Sequence, residues 1–108
     1  MLMVMAIMSI VSMGCVGERD DYSLVEQYKQ VSSVAEQGDA EAQFNLGQMY
    51  LEGKAVPQDY EQTVYWYRLA AEQGYTRAQN NLGLMYYNGL GVPQNLEQAE
   101  HWYRLARE

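Results

Sequence analysis

The residues able to do chemistry are few, and their spacing keeps them apart. The chain holds one histidine and one cysteine among 108 residues. His101 has Glu97 and Glu100 for neighbours, which reads as the solvated surface of a helix. A metal centre needs three or four His, Cys or carboxylate ligands converging on one point. A nucleophilic Ser or Cys needs a base beside it. Neither pattern occurs in this sequence. Gly89-Leu90-Gly91 falls short of a phosphate cradle, lacking a third glycine and a preceding strand. The sequence therefore points away from an enzyme, and implies no catalytic residue, metal or cofactor.

Cys15 belongs to a different chemistry. Met1 to Gly17 carries no charge, and its first eleven residues are nearly all apolar. At about 1.5 Å rise per residue this stretch falls at the short limit for crossing a bilayer roughly 30 Å thick. A secretory signal, whose apolar region needs only about 7–15 residues, fits better. Ser12-Met13-Gly14 then supplies small residues at the −3 and −1 positions of a cleavage that frees Cys15. A Gly-Cys pair after an apolar run also resembles the bacterial lipoprotein signal, in which the Cys thiol is lipidated before cleavage. Ser12 stands where that pattern wants an aliphatic residue, Met13 where it wants a small one, and no Lys or Arg precedes the run. Three fates stay open for residues 1–14: a lipoprotein signal leaving lipid on Cys15, a cleaved signal releasing a soluble protein, or a retained anchor. An ordinary thiol at Cys15 is the plainest alternative. The expectation is export, to the periplasm or to a membrane through lipidated Cys15 or the N-terminal segment. Residues 15–22, with Glu18, Arg19, Asp20 and Asp21, read as a polar tether before a helix capped by Asp21 or Ser23.

Size and charge narrow the partners. The folded part of roughly 85 residues has a small core by surface-to-volume scaling, so its stability is modest. The formal charge is −7, which argues against nucleic acid, whose binding demands clustered Lys and Arg. With one Cys there is no internal disulfide. Ten tyrosines supply large rings with polar edges.

The elements that must position any site are written twice. Ala35-Glu36-Gln37-Gly38 returns as Ala71-Glu72-Gln73-Gly74, Asn45-Leu46-Gly47 as Asn81-Leu82-Gly83, and Trp66-Tyr67-Arg68 as Trp102-Tyr103-Arg104. The offset is 36 throughout (71 − 35, 81 − 45, 102 − 66). A fixed period of roughly 20–50 residues marks a repeat array whose units bury their apolar faces against neighbours. Ala42, Leu46, Met49 and Tyr50 fall at i, i+4, i+7 and i+8, one helical stripe, and Ala78, Leu82, Met85 and Tyr86 repeat it. Tyr60, Thr63, Tyr67, Ala70 and Ala71 form a second stripe, repeated by Leu96, Ala99, Tyr103 and Ala106. Gly53 and Gly89 stop the first helix of each pair, Pro57 and Pro93 forbid its continuation, and Asp59 and Asn95 cap the second helix. Gln62 and Gln98, three residues on, suggest capping boxes. Glycine inside a helix costs about 1 kcal/mol against alanine, so Gly47 and Gly83 predict a bulky neighbour, Trp66 or Tyr67, that needs the room. Arg68 with Glu72, and Arg104 with Glu108, are spaced as i,i+4 ion pairs.

These letters resemble a known pattern. Ala42, Leu46-Gly47, Met49-Tyr50, Gly53, Val56-Pro57, Trp66-Tyr67, Ala70-Ala71 and Gly74, with their second copy, look like the Sel-one-like repeat, a 36-residue relative of the tetratricopeptide repeat. The resemblance implies an all-α, right-handed solenoid of antiparallel helix pairs that serves as an adaptor or scaffold. It implies no catalytic residues. Cysteine-rich members that bind or hydrolyse β-lactams carry a Cys pair in each repeat, and this chain has none there. The expected organisation is a degenerate capping helix over 23–38, repeat 1 over 39–74 and repeat 2 over 75–108.

Comparing the copies suggests where a partner binds. Phe44, Gln48 and Leu51 lie opposite the first stripe and differ from Asn80, Leu84 and Tyr87 in copy two, whereas the stripe is constant. In tetratricopeptide-like stacks first helices line the concave face, so Phe44, Leu51, Leu84 and Tyr87 are expected to form an apolar patch there. The alternative use for some of them is to seal one first helix against the next. Asn45 and Asn81, constant on the flank of that face, have carboxamides suited to a peptide backbone or to a local structural bond. The expected function is a non-catalytic module of the bacterial envelope that docks a protein or peptide. A regulatory subunit or inhibitor of an envelope enzyme is the alternative. A fragment of a longer repeat protein, self-associating through an unsealed end, is a third.

Overall fold

Helix starts and stops are set by the residues that punctuate the sequence. The computed structural model describes residues 16–108, with side chains from Ser23 onward. It holds five helices: α1 (Val16–Glu36), α2 (Ala40–Glu52), α3 (Tyr60–Glu72), α4 (Thr76–Asn88) and α5 (Leu96–Arg107). Among the described residues there is no strand. Asp39 Oδ1 accepts from the Ala42 amide at 2.8 Å, Asp59 Oδ1 from Glu61 and Gln62 at 3.0 and 3.2 Å, and Asn95 Oδ1 from Gln98 at 3.0 Å. Each such cap stabilises its helix by about 1 kcal/mol. Gly53 and Gly89 end α2 and α4 at φ 71° and 70°, and the next amides, of Lys54 and Leu90, each reach five residues back to Met49 and Met85.

The capping boxes are half formed. The amide of Asp59 donates to Tyr50 O at 3.0 Å, and that of Asn95 to Tyr86 O at 2.9 Å. The cap's own N–H is thus used to tie each second helix to the first, leaving no donor for Gln62 or Gln98. Gln58 and Gln94 reinforce the tie, their Nε2 donating to Leu51 O and Tyr87 O at 2.8 and 2.9 Å.

Each helix packs chiefly on the one before and the one after it. One buried cluster holds Ala35, Ala42, Leu46 and Met49 between α1 and α2. The larger one joins Phe44, Val64, Tyr67, Ala70 and Ala71 to Ala78, Leu82 and Met85 of α4 and Trp102 of α5. Buried Gln43 donates to Ala35 O at 3.2 Å, and Gln79 repeats the bond to Ala71 O at 3.1 Å. Each glutamine fastens a first helix to the end of the preceding one, which the sequence reading missed although both copies carry it.

Four expectations need correction. Helix α1 includes residues 16–22, so the described part of the segment read as a tether is helical; no proline interrupts it, and nothing else in it obliges the helix to wait for Ser23. Tyr60 and Leu96, placed in the second stripe, are exposed at 37% and 59%, and Val64 at 4% takes the buried position. Arg68 pairs with the Tyr86 hydroxyl of the next repeat rather than with Glu72. Arg104 pairs with Glu100 at 3.1 Å rather than with Glu108.

Candidate partner-binding groove

Tyr67 is the floor on which the site is built. Its ring is fully buried and stacks on Phe44 with centroids 5.4 Å apart. A Cβ on Gly47 would lie 2.7 Å from Tyr67 Cδ1, so the ring occupies the space that the missing side chain leaves. Tyr103 stands in the same relation to Gly83. The neighbour expected there is therefore the tyrosine and not Trp66. The Tyr67 hydroxyl donates to Gln48 Oε1 and accepts from Asn81 Nδ2 at 3.5 Å, which joins α3 to both first helices.

Burial pushes the Tyr67 hydroxyl from 10.0 up to about 12, with the Asn81 bond acting in the opposite sense. Tyr50 is also raised to about 12, first by its hydrogen bond with Tyr28 at 3.3 Å and then by burial. The folded state keeps these protons at a pH where the unfolded chain has lost them. The contribution of these two groups to stability is therefore complete below pH 10 and falls as pH rises from 10 to 12. Two units at about 1.4 kcal/mol each limit the Tyr67 share to roughly 3 kcal/mol. Urea unfolding at pH 8 and pH 11 measures the loss, and Tyr67→Phe should show a shallower pH slope than the parent.

Between α1 and α2 lies an open groove of about 340 Å³. Leu24, Gln27 and Val31 form one wall, Asn45 and Gln48 the other, and Arg77 of α4 closes one side. Arg77 Cζ sits 4.7 Å from the Phe44 ring centroid. Asn45 is exposed at the groove's edge.

The predicted binding residues separate into three groups. Asn45 and Gln48 line the groove, and Phe44 contributes to its floor. Phe44 itself is only 2% exposed, held between Tyr67, Tyr75 and Arg77, and Leu51 is half-buried against the same core. Phe44 does not present the outward apolar surface expected of it, because Tyr67, Tyr75 and Arg77 enclose its ring, and Leu51 is half-buried. Asn81 is half-buried and spends its amide on Tyr67. Leu84 and Tyr87 are exposed at 49% and 52%, outside the groove. Cys15 lies outside the described residues, as does the segment 1–14. Arg77 was missed; its signal was a cation where copy one has Glu41. Among the described residues, no three His, Cys, Asp or Glu side chains converge as metal ligands would, and no helix is long and apolar enough to cross a membrane.

The surface beyond α5 differs from its counterpart inside the stack. Val64 and Ala71, buried among α4 residues, correspond to exposed Glu100 and Arg107 (64 + 36, 71 + 36).

No curated protein matches the chain. Among solved structures it is similar to a Sel1 repeat protein from Oxalobacter formigenes, at 35% identity and TM-score 0.75, covering 77% of this chain and 24% of that one. It is also similar to c5321, a protective antigen present in uropathogenic Escherichia coli strains displaying an SLR fold, at 48% identity and TM-score 0.71. That match covers 74% of this chain and 17% of the antigen. The chain thus spans a quarter or less of the length of these relatives. The all-α, tetratricopeptide-like solenoid expected from the sequence is the fold they share. The family model for the Sel1 repeat matches residues 40–75 and again 76–108. The chain belongs to the Sel1 repeat family, whose repeats generally mediate protein–protein interaction without catalysis.

Proposed function

We propose that this chain is a non-catalytic interaction module of the bacterial envelope that holds a segment of a partner protein in the groove between α1 and α2. The observation that carries this reading is the groove itself: a concave, half-polar surface with carboxamides at its edge. Asn45 makes no side-chain hydrogen bond among the described residues, and its amide is exposed. A peptide backbone needs such donors and acceptors when it leaves water. The Gln48 amide is a second donor, since its oxygen is the atom held by Tyr67. The export part of the reading rests on the apolar run of residues 1–14 and the Gly14-Cys15 pair.

A photo-crosslinking residue at position 45 is expected to give a discrete adduct in cells. The same residue in place of Tyr65, exposed on the outer face of α3, should give none. Equal labelling from both positions would sink the groove as the docking surface. Fractionation of the same cells, with the mass of the mature N-terminus, tests export and lipid on Cys15.

A further inference from the structure

We propose that the groove selects partner segments by an acidic side chain, Asp or Glu, and that Arg77 is the residue that reads it. This rests on the groove being the docking surface and adds the chemistry of the occupant. Two cations and one carboxylate line the groove, Lys54, Arg77 and Glu52, for a local balance of +1 in a chain of −7. Lys54 is paired with Glu52 at 3.4 Å. Arg77 has no carboxylate within 4 Å among the described residues, whereas Lys29 and Arg104 each have one.

Arg77 also has a fixed support. Its guanidinium stands over Phe44, and that ring is fixed by Tyr67 and Tyr75, each 5.4 Å away between centroids. A guanidinium resting on a ring turns one side to it, and the N–H groups away from the ring can take a bidentate carboxylate. A side chain immobilised beforehand loses less entropy on binding. The repeat framework does not require the cation, since position 41 of copy one is glutamate. Leu24 and Val31, on the facing wall, are seven residues apart on α1, about 10 Å. That length matches three extended residues at roughly 3.3 Å each. The occupant is thus a short extended segment with a carboxylate toward Arg77 and apolar neighbours toward α1. Charges elsewhere on this acidic protein are screened beyond about 8 Å at physiological salt, so the local pair decides the contact.

The test titrates the full chain with three five-residue peptides, followed by calorimetry and amide NMR. The first is acetylated and amidated, with glutamate between two leucines; the second has glutamine there; the third is the glutamine peptide with a free C-terminal carboxylate. The glutamate peptide is expected to bind at least tenfold more tightly than either other, shifting Asn45, Gln48 and Arg77 amides. Arg77→Gln should abolish the preference, and Arg77→Lys, which keeps the charge without the fork, should retain part of it. Asn45→Trp, which obstructs the groove without adding charge, should weaken all three peptides. Groove shifts without discrimination, or a preference that survives Arg77→Gln, would overturn the acidic selection while leaving the groove. Tighter binding of the third peptide would make the ligand a chain terminus and overturn the proposal. Shifts unaffected by Asn45→Trp, or none with any peptide at millimolar concentration, would remove both.

Discussion

Gly91→Ala is expected to cost the chain its second repeat. Gly91 has φ +72°, and a Cβ there would lie 2.6 Å from the carbonyl carbon of Tyr60, at the start of α3. The left-handed backbone costs an alanine about 1–2 kcal/mol. The collision adds about 1–3 kcal/mol, and more where, as here, the obstacle is backbone that cannot rotate away. For a domain of this size each kcal/mol lowers Tm by roughly 4–8 °C, so a fall of about 15–30 °C, or loss of the cooperative transition, is expected by circular dichroism. The same position in copy one is Ala55, which holds φ 66°. Its methyl packs beside the α1–α2 cluster without such an obstruction. Ala55→Gly relieves the backbone at the loss of a small contact, and should stabilise by up to about 1 kcal/mol. One position and one pair of residues thus give opposite signs. Equal tolerance of both substitutions would contradict the packing of the second connector against α3.

Gly47→Ala should be nearly as harmful, although alanine is the better helix former by about 1 kcal/mol. The new methyl would stand 2.7 and 2.8 Å from two ring carbons of Tyr67. That ring is wholly buried, so it has nowhere to go. We expect a net loss of about 2–3 kcal/mol in urea unfolding, an overpacking cost that outweighs the helical gain. Gly83→Ala meets Tyr103 at the same distances, but Tyr103 is half-exposed and turns aside more easily. Its cost should be about half. Tyr67→Leu narrows the side chain that collides, so Gly47→Ala in that background should lose less than the sum of the two single changes. A coupling below about 0.5 kcal/mol would show that the two positions do not share the space.

Most of the fold was legible because the chain writes it twice. Capping residues, helix-ending glycines and the stripe of Leu46, Met49 and their copies depend on local rules, and the structure keeps them. The site was less legible, for one physical reason. Phe44, Gln48 and Leu51 differ from Asn80, Leu84 and Tyr87, and variation between copies was taken for an outward, partner-facing surface. In the stack Phe44 is enclosed by Tyr67, Tyr75 and Arg77, Leu51 is half-buried and Gln48 lines the groove, while Asn80, Leu84 and Tyr87 have no described helix over them. The difference follows which copy has a described repeat packed over it. Arg77 escaped notice because its only signal, the change from Glu41, gives a sign of charge and no location; the Phe44 ring beneath it supplies that. Gln43 and Gln79 were visible as a repeated pair, but a buried amide acquires meaning only when its carbonyl partner eight residues back is known.

Glu100 and Arg107 make the two copies non-interchangeable as building units. A tandem made by copying 39–74 would present Val64 and Ala71 to each successor, and could lengthen without altering its joints. A tandem made by copying 75–108 would force a carboxylate and a guanidinium into every seam, where charged groups lose their hydration. The first copy offers its successor an apolar seam, and the second offers a charged one.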